Sequence, residues 1–409
     1  MSTPPLQGIR VLDFSGWYAV PVAATALAVA GAEVIRIETS KLPDTIGRYQ
    51  EQGRIVEVNP KQLRGKGFSE INQNKRCISL NLRAPEGVDI AKRLAALSDV
   101  VVTSYRPGTM ERLGLGYDEL RRRNPGIIMF SESGMGSIGP EKGYAGYASI
   151  FSAVGGLSHI TGYPQGFPTE VRASSDIRTG NWGALALLVA IFYRAKTGHG
   201  QFIDLAATEG ISCLIGDVIM ERPLTGHIPS RQANRHASMA PHGVYRCQGD
   251  EAWISIAVAT QEEWEALCTV AQHPEWAEDP RFADSYARWV HQEALDELLN
   301  QWTTTQNKFD LMHLLQKAGV AAAPSYSSMD LSEDPHLKER SVWQPLPFPG
   351  RPEETVTVIK WPWQRLSRSK IEIERGGPLL GEDNHYVYGE LLGLSAEEIA
   401  RLEEADVID

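Results

Sequence analysis

Asp176 opens the run Asp176-Ile177-Arg178-Thr179-Gly180, directly ahead of an apolar stretch from Trp182 to Tyr193. An Asp in front of a helix is most often an N-cap, its carboxylate accepting a backbone N–H. The same position suits a carboxylate nucleophile, because a helix N-terminus favours the ionised form. The residue types alone leave both open. Arg178, two residues on, fits a partner for a substrate carboxylate and a surface or dimer contact equally well.

Three other stretches carry groups that bind or polarise anions. Asn74-Lys75-Arg76-Cys77-Ile78-Ser79-Leu80-Asn81-Leu82-Arg83 alternates apolar residues at Ile78, Leu80 and Leu82, the pattern of a half-buried strand. The basic residues at its ends fit a solvated strand edge or an anion site. Tyr105-Arg106-Pro107-Gly108-Thr109-Met110-Glu111-Arg112-Leu113 combines a turn, two arginines and a helix start. Arg forks and helix N-termini both favour phosphate oxygens, although an Arg-Pro-Gly turn is usually only a turn. Gly134-Met135-Gly136 is a candidate source of N–H donors for an oxyanion, or simply the end of a strand.

Several chemistries are disfavoured. The turn after Phe14 reads Ser15-Gly16-Trp17-Tyr18-Ala19-Val20-Pro21, without the glycines that let a backbone approach a pyrophosphate, and no GxxxxGK[ST] occurs. Cys77, Cys213, Cys247 and Cys268 are widely spaced, which argues for reduced thiols over a disulfide framework or a zinc site. No metal and no permanently bound cofactor is expected. A formal net charge of −11 argues against a nucleic-acid surface. The N-terminus lacks a signal-peptide pattern, and no apolar run approaches the ~20 residues of a membrane span. A soluble, cytoplasmic protein is expected.

The elements that must position these residues alternate strand and helix. Ile9 to Phe14, Val34 to Ile37, Val100 to Val102 and Ile127 to Phe130 read as buried parallel strands. Between the first two, Pro21 marks a helix start and Gly31 its end. The stretch Trp182 to Tyr193 reads as a buried helix. An open α/β sheet covered on both faces is predicted. The 409 residues suffice for two domains. Boundaries are placed at 1–225 for a large α/β domain, 226–325 for a smaller α+β domain carrying a strand at Trp253 to Ala257, and 326–409 for a segment returning to the first.

Taken together, the stretches have a familiar order. GIRVLDFS, GAEVIRIE, NKRCISLNLRAPEG, YRPGTMERLGLGYDELRRRNPGIIMFSESGMG, RAKTGHGQFIDLAATEG, NRHASMAPHGVYRCQGDEAWISIA, GVAAAPSYSSMDLSEDPHLKER and LLGEDNHYVYGELLGLSAEEI run nearly end to end. In this the chain resembles the family III (CaiB/BaiF-like) CoA-transferases, which include formyl-CoA:oxalate, carnitine, bile-acid and benzylsuccinate CoA-transferases. The resemblance implies a Rossmann-like open sheet formed by the N- and C-terminal parts, a smaller domain and an interlocked dimer. It implies transfer of CoA from an acyl-CoA, such as succinyl-CoA, to a free carboxylic acid through an aspartyl anhydride and an aspartyl-CoA thioester. CoA thioesters are then substrates, and the partner is a second copy or a homologous subunit.

Residue by residue, the resemblance assigns the nucleophile to Asp176, with Gly180 matching the glycine four residues later. CoA contacts fall on Leu80, Asn81, Leu82 and Arg83, and adenosine and phosphate contacts on Tyr105, Arg106 and Arg112. Ala19 and Pro21 match a loop near the thioester. Trp17 and Tyr18 replace smaller or polar residues there and are read as lining an acceptor pocket for a bulky, aromatic acid, benzylsuccinate among the candidates. Other departures are Ser104 for Asn, Thr39 for a basic residue, Tyr147-Ala148 for Tyr-Asp or Tyr-Glu, and Asn234-Arg235-His236 through Pro241 where a glycine-rich loop stands in the formyl-CoA enzyme. An α-methylacyl-CoA racemase is the alternative reaction. It needs two opposed bases, and its Gly-His-Asp stretch is matched here by Gly146-Tyr147-Ala148. A non-catalytic subunit of a heteromeric transferase is the alternative role.

Overall fold

Six parallel strands, the inner ones apolar on both faces, build the sheet that carries the site. A computed structural model describes residues 3–41, 50–51, 54–55, 66–171, 174–348 and 351–408. Strands β1 (Arg10–Asp13), β2 (Glu33–Glu38), β3 (Arg76–Ser79), β4 (Val100–Thr103), β5 (Ile128–Ser133) and β6 (Phe202–Ala206) pair in parallel in the order β3-β2-β1-β4-β5-β6. Leu12, Ile35, Ile78, Val101 and Met129 fill one core, whereas Val11, Val34, Val100, Val102, Ile128 and Phe130 fill the other. Period-two alternation divides each strand between the two layers. The order reverses between β1 and β4, and ligands of such sheets bind at the carboxyl ends of the strands flanking that reversal.

Helices α1 (Ala19–Val29), α2 (Pro85–Ala96) and α3 (Ser174–Thr197) cover the sheet. Two sequence expectations are corrected at α3. The helix begins before Asp176, so this residue lies in its first turn instead of ahead of it. The apolar stretch is also not buried all round: Gly180, Gly183, Ala184, Leu187 and Ala190 are buried, while Leu185, Leu188, Val189 and Phe192 are exposed. A Cβ at Gly180 would lie 2.6 Å from the Ala19 carbonyl oxygen and 2.8 Å from Val22. Only glycine allows α3 to approach α1 so closely.

The first compact unit consists of residues 1–158, 170–228 and 339–409. Its C-terminal segment braces β3. Tyr388 Oη donates to the Ser79 carbonyl at 2.6 Å, Asp383 accepts from the Cys77 N–H at 2.9 Å, and Asn81 donates to the Val407 carbonyl at 2.9 Å. The strand expected through Leu82 therefore ends at Ser79, and Asn81 is held by the C-terminus instead of a neighbouring strand.

The second unit comprises residues 159–169 and 229–338. Strands β7 (His242–Arg246), β8 (Trp253–Ala257) and β9 (Ala321–Pro324) form an antiparallel sheet in the order β9-β8-β7. Its core gathers Tyr245, Ile254, Trp264, Phe282, Leu295 and Leu299. The stretch Asn234 to Pro241 belongs to this unit.

Candidate active site

The loop leaving β1 is fixed from beneath by a buried ion pair. Lys75 Nζ lies 2.9 Å from Asp13 Oδ2 and also donates to the Pro21 carbonyl at 3.1 Å, and neither charged side chain is exposed. The Asp13 carboxylate also accepts from the Ser15 N–H at 2.8 Å. Burial raises the Asp13 pKa, but Lys75, Arg36 and the Ser15 hydrogen bond outweigh it and hold the group below its ordinary value. Lys75 is thus a structural cation here, not part of an anion site.

Across the reversal point, Ser104 clamps the same loop. Its Oγ accepts from the Gly16 N–H at 3.0 Å and donates to the Gly16 carbonyl at 3.2 Å. The next residue, Trp17, has φ of +65°, the left-handed region that a bulky side chain rarely adopts. Strain of this kind persists where surrounding bonds over-determine it. Its ring stacks obliquely on Tyr147 with centroids 5.0 Å apart.

Two cavities of about 500 Å³ each meet along this loop, sharing Gly16, Trp17 and Ser104. The first holds Asp176, with Tyr18, Ala19, Arg106, Glu132 and Lys142 among its walls. Gly134 lines it too; a Cβ there would fall 2.1 Å from the Phe151 ring, so glycine lets Phe151 close that wall. The second lies at the carboxyl ends of β1 to β4 and is lined by Leu80, Asn81, Leu82, Arg83 and Tyr105. Lys41 lines it near Thr39 and pairs with Asp406 at 3.0 Å.

Asp176 and Glu132 differ from ordinary surface carboxyls. Asp176 is raised first by burial and then by the charge of Glu170, against the pull of its helix N-terminus. Glu132, on β5, is pushed up to about 7 by burial and then by the charge of Asp176. The effect is one-sided because Asp176 ionises while Glu132 still carries its proton. Close to neutral pH Glu132 therefore still carries a proton in a substantial share of molecules, beside a carboxyl that ionises at lower pH.

The residues read from sequence divide clearly. Asp176, Trp17, Tyr18, Ala19 and Arg106 share the first cavity; Leu80, Asn81, Leu82, Arg83 and Tyr105, again with Trp17, share the second. Arg112 and Arg178 line neither. Arg112 Nη2 donates to Thr109 Oγ1 at 2.9 Å, and Arg178 is exposed on α3. Glu132, Lys142 and Tyr144 escaped the sequence reading. Glu132 did leave a signal: it is a charged residue inside the strand run Ile128 to Ser133, where a buried parallel strand should be apolar. The described residues contain no group of His, Cys, Asp and Glu able to hold a metal ion, and no described helix is long and apolar enough to cross a membrane.

Comparison with known proteins gives the same family. Residues 6–384 match the family model for CoA-transferase family III. The chain belongs to that family. As a family III CoA-transferase it is 35% identical over 408 residues to the succinyl-CoA–D-citramalate CoA-transferase of Chloroflexus aurantiacus, covering 99% of this chain and 98% of that one. It is 31% identical to the alpha subunit of the succinyl-CoA–L-malate CoA-transferase from the same organism, covering 100% and 95% of the two chains. Among solved structures, a CaiB/BaiF family protein from Brucella suis superposes with a TM-score of 0.86 at 30% identity, covering 96% of this chain and 100% of the other. The racemase alternative loses ground in this family III CoA-transferase: Tyr147 lines the Asp176 cavity where the racemases' histidine is expected.

Proposed function

We propose that this CoA-transferase moves CoA from succinyl-CoA to a short dicarboxylic acid, with Asp176 carrying the acyl group. The observation that carries the reading is the junction at Gly16, Trp17 and Ser104. It joins the cavity holding Asp176 to the one lined by residues that match the family's CoA contacts, Leu80 to Arg83 and Tyr105. A thioester bridging the junction would present its carbonyl carbon to Asp176.

In the first step an Asp176 carboxylate oxygen attacks the thioester carbon; the C–S bond breaks, CoA leaves as thiolate with the bonding pair, and a mixed anhydride remains. Thiolate then attacks the Asp176 carbonyl carbon, releasing the donor acid as carboxylate and leaving an aspartyl-CoA thioester. The acceptor carboxylate attacks that thioester, thiolate leaves again, and its return to the acceptor acyl carbon yields the new acyl-CoA and free Asp176. No proton is gained or lost, so the protein must orient the groups and keep water from the anhydride.

The names of relatives support the substrate class: D-citramalate, L-malate and, for an Agrobacterium fabrum protein 30% identical, glutarate. Arg106 and Lys142 on the acid cavity supply cations for a second carboxylate. The aromatic wall of Trp17, Tyr18, Tyr144, Tyr147 and Phe151 favours a second reading, an aromatic acid such as benzylsuccinate. The exposed apolar face of α3 supports assembly with another chain, as an interlocked dimer of identical copies or beside a homologous subunit; the malate enzyme has alpha and beta subunits. Four free cysteines and CoA-thioester substrates favour the cytoplasm.

The test is mass spectrometry after incubation with a panel of acyl-CoA donors and hydroxylamine. A hydroxamate on the Asp176 peptide, absent in Asp176→Ala, is expected with succinyl-CoA. No adduct with any donor, together with deuterium uptake at the α-carbon of an acyl-CoA, would move the chain to the racemase reaction.

A further inference from the structure

Glu132 faces the acid cavity from the carboxyl-terminal half of β5, on the strand that follows the buried residues Ile128, Met129 and Phe130. It is 8% exposed, and among the described residues its carboxyl group has no hydrogen-bond or ion-pair partner. The groups lining the same space are Asp176 from α3, Arg106 after β4, Tyr18 after β1, and Lys142, Tyr144 and Tyr147 from the segment after β5. Neither cation pairs with Glu132. An ionised carboxylate with so little water and no partner is costly, and the charge of Asp176 adds to that cost. Its neutral form, by contrast, has an O–H that no described residue satisfies, on a side chain that lines the cavity holding Asp176.

We propose that Glu132 is a second catalytic carboxyl, neutral in the working enzyme, that donates a hydrogen bond to the acid carboxylate exchanging at Asp176. The proposal rests on the acyl-aspartyl reading above. The proton stays on Glu132 throughout. Each time an acid enters or leaves, its carboxylate replaces the charge that Asp176 loses on acylation, and the same O–H meets it. An ionised Glu132 would repel that carboxylate instead.

The experiment uses succinyl-CoA and carbon-13-labelled succinate, whose label exchange needs no foreign acceptor, with full-length wild type, Glu132→Gln and Glu132→Leu. Glu132→Leu should lose on the order of a hundred-fold in kcat/KM for succinate, with KM for succinyl-CoA nearly unchanged. In wild type kcat/KM for succinate should fall as pH rises through about 7, when the donor is lost; Glu132→Gln, which keeps a neutral N–H donor, should not show that fall. Infrared difference spectra between wild type and Glu132→Gln supply a readout without turnover: a protonated carboxyl band persisting to near pH 7 is expected. Retention of exchange by Glu132→Leu, the same alkaline fall in Glu132→Gln, or a carboxyl band lost near the ordinary Glu range would overturn the proposal. If wild type never forms an Asp176 adduct, the acyl-aspartyl reading fails and this proposal with it. An adduct with unimpaired Glu132→Leu sinks the proposal alone.

Discussion

Asp13 and Glu132 stand on β1 and β5 of one sheet, both almost fully removed from water, yet their surroundings drive them in opposite directions. Asp13 has Lys75 at 2.9 Å and two hydrogen bonds from Ser15, and stays ionised. Glu132 has no partner among the described residues and a nearby negative charge from Asp176, and is pushed up to about 7. Burial is common to both, so burial does not decide the charge. The partner does. The difference separates a carboxylate that holds a loop in place from one left available to a ligand.

The contrast can be broken most severely at Asp176. Asp176→Asn should lower acyl transfer about a thousand-fold or more, since it removes the nucleophile. By removing the charge that acts on Glu132, it should also move the Glu132 infrared titration to lower pH. An unchanged titration would show that burial alone sets it.

Next in size is the buried pair. Lys75→Met removes the cation paired with buried Asp13 and leaves only Arg36 and the Ser15 hydrogen bonds to offset its charge, for which a loss of roughly 3–5 kcal/mol is expected in urea unfolding. Adding Asp13→Asn should restore much of it. If the double variant is no better than the single, the loss comes from packing around Lys75 instead of charge.

The two carboxyls also predict opposite pH dependence of stability. Asp13 has a depressed pKa in the folded chain, so its contribution is full above its unfolded value and is lost as pH falls below that. Glu132 has a raised pKa, so it weakens folding as pH rises from its unfolded value through about 7. Glu132→Gln should therefore be more stable than wild type at pH 8, by about 3 kcal/mol, and equal to it near pH 4. A gain at both pH values would point to packing and remove charge from the account.

The smallest expected effect is at the clamp. Ser104→Ala deletes both hydrogen bonds to Gly16 and should cost about 1–2 kcal/mol. Because Gly16 and Trp17 border both cavities, KM should rise several-fold for the acyl-CoA and the acid together. A rise for only one would mean that the loop does not couple them.

Much of the sheet was legible. Branched apolar runs marked β1, β2, β4 and β5 to within a residue or two at most ends, and Gly31 marked the end of α1 with φ of +100°. The strand at Trp253 to Ala257 was equally plain. The reading failed where a tertiary partner replaced a local one: at Asn81, which the C-terminal segment holds, and on α3, whose apolar residues do not all face the core. Asp176 and Leu80 to Arg83, which the family's pattern singles out, line the two cavities. Arg112, assigned by the resemblance, and Arg178, read from its place two residues after Asp176, line neither cavity, because spacing along a helix does not say which way it faces.

The sequence by itself determined the strand–helix alternation, the family and the carboxylate at position 176, since these depend on local periodicity and on residues in a fixed order. Only the tertiary structure decided which charges are satisfied. Lys75 lies 62 residues from Asp13 along the chain and meets it at 2.9 Å, while nothing comparable reaches Glu132 among the described residues. Protonation depends on what lies within a few ångströms in space, and that distance is set by packing across the sheet, not by position along the chain.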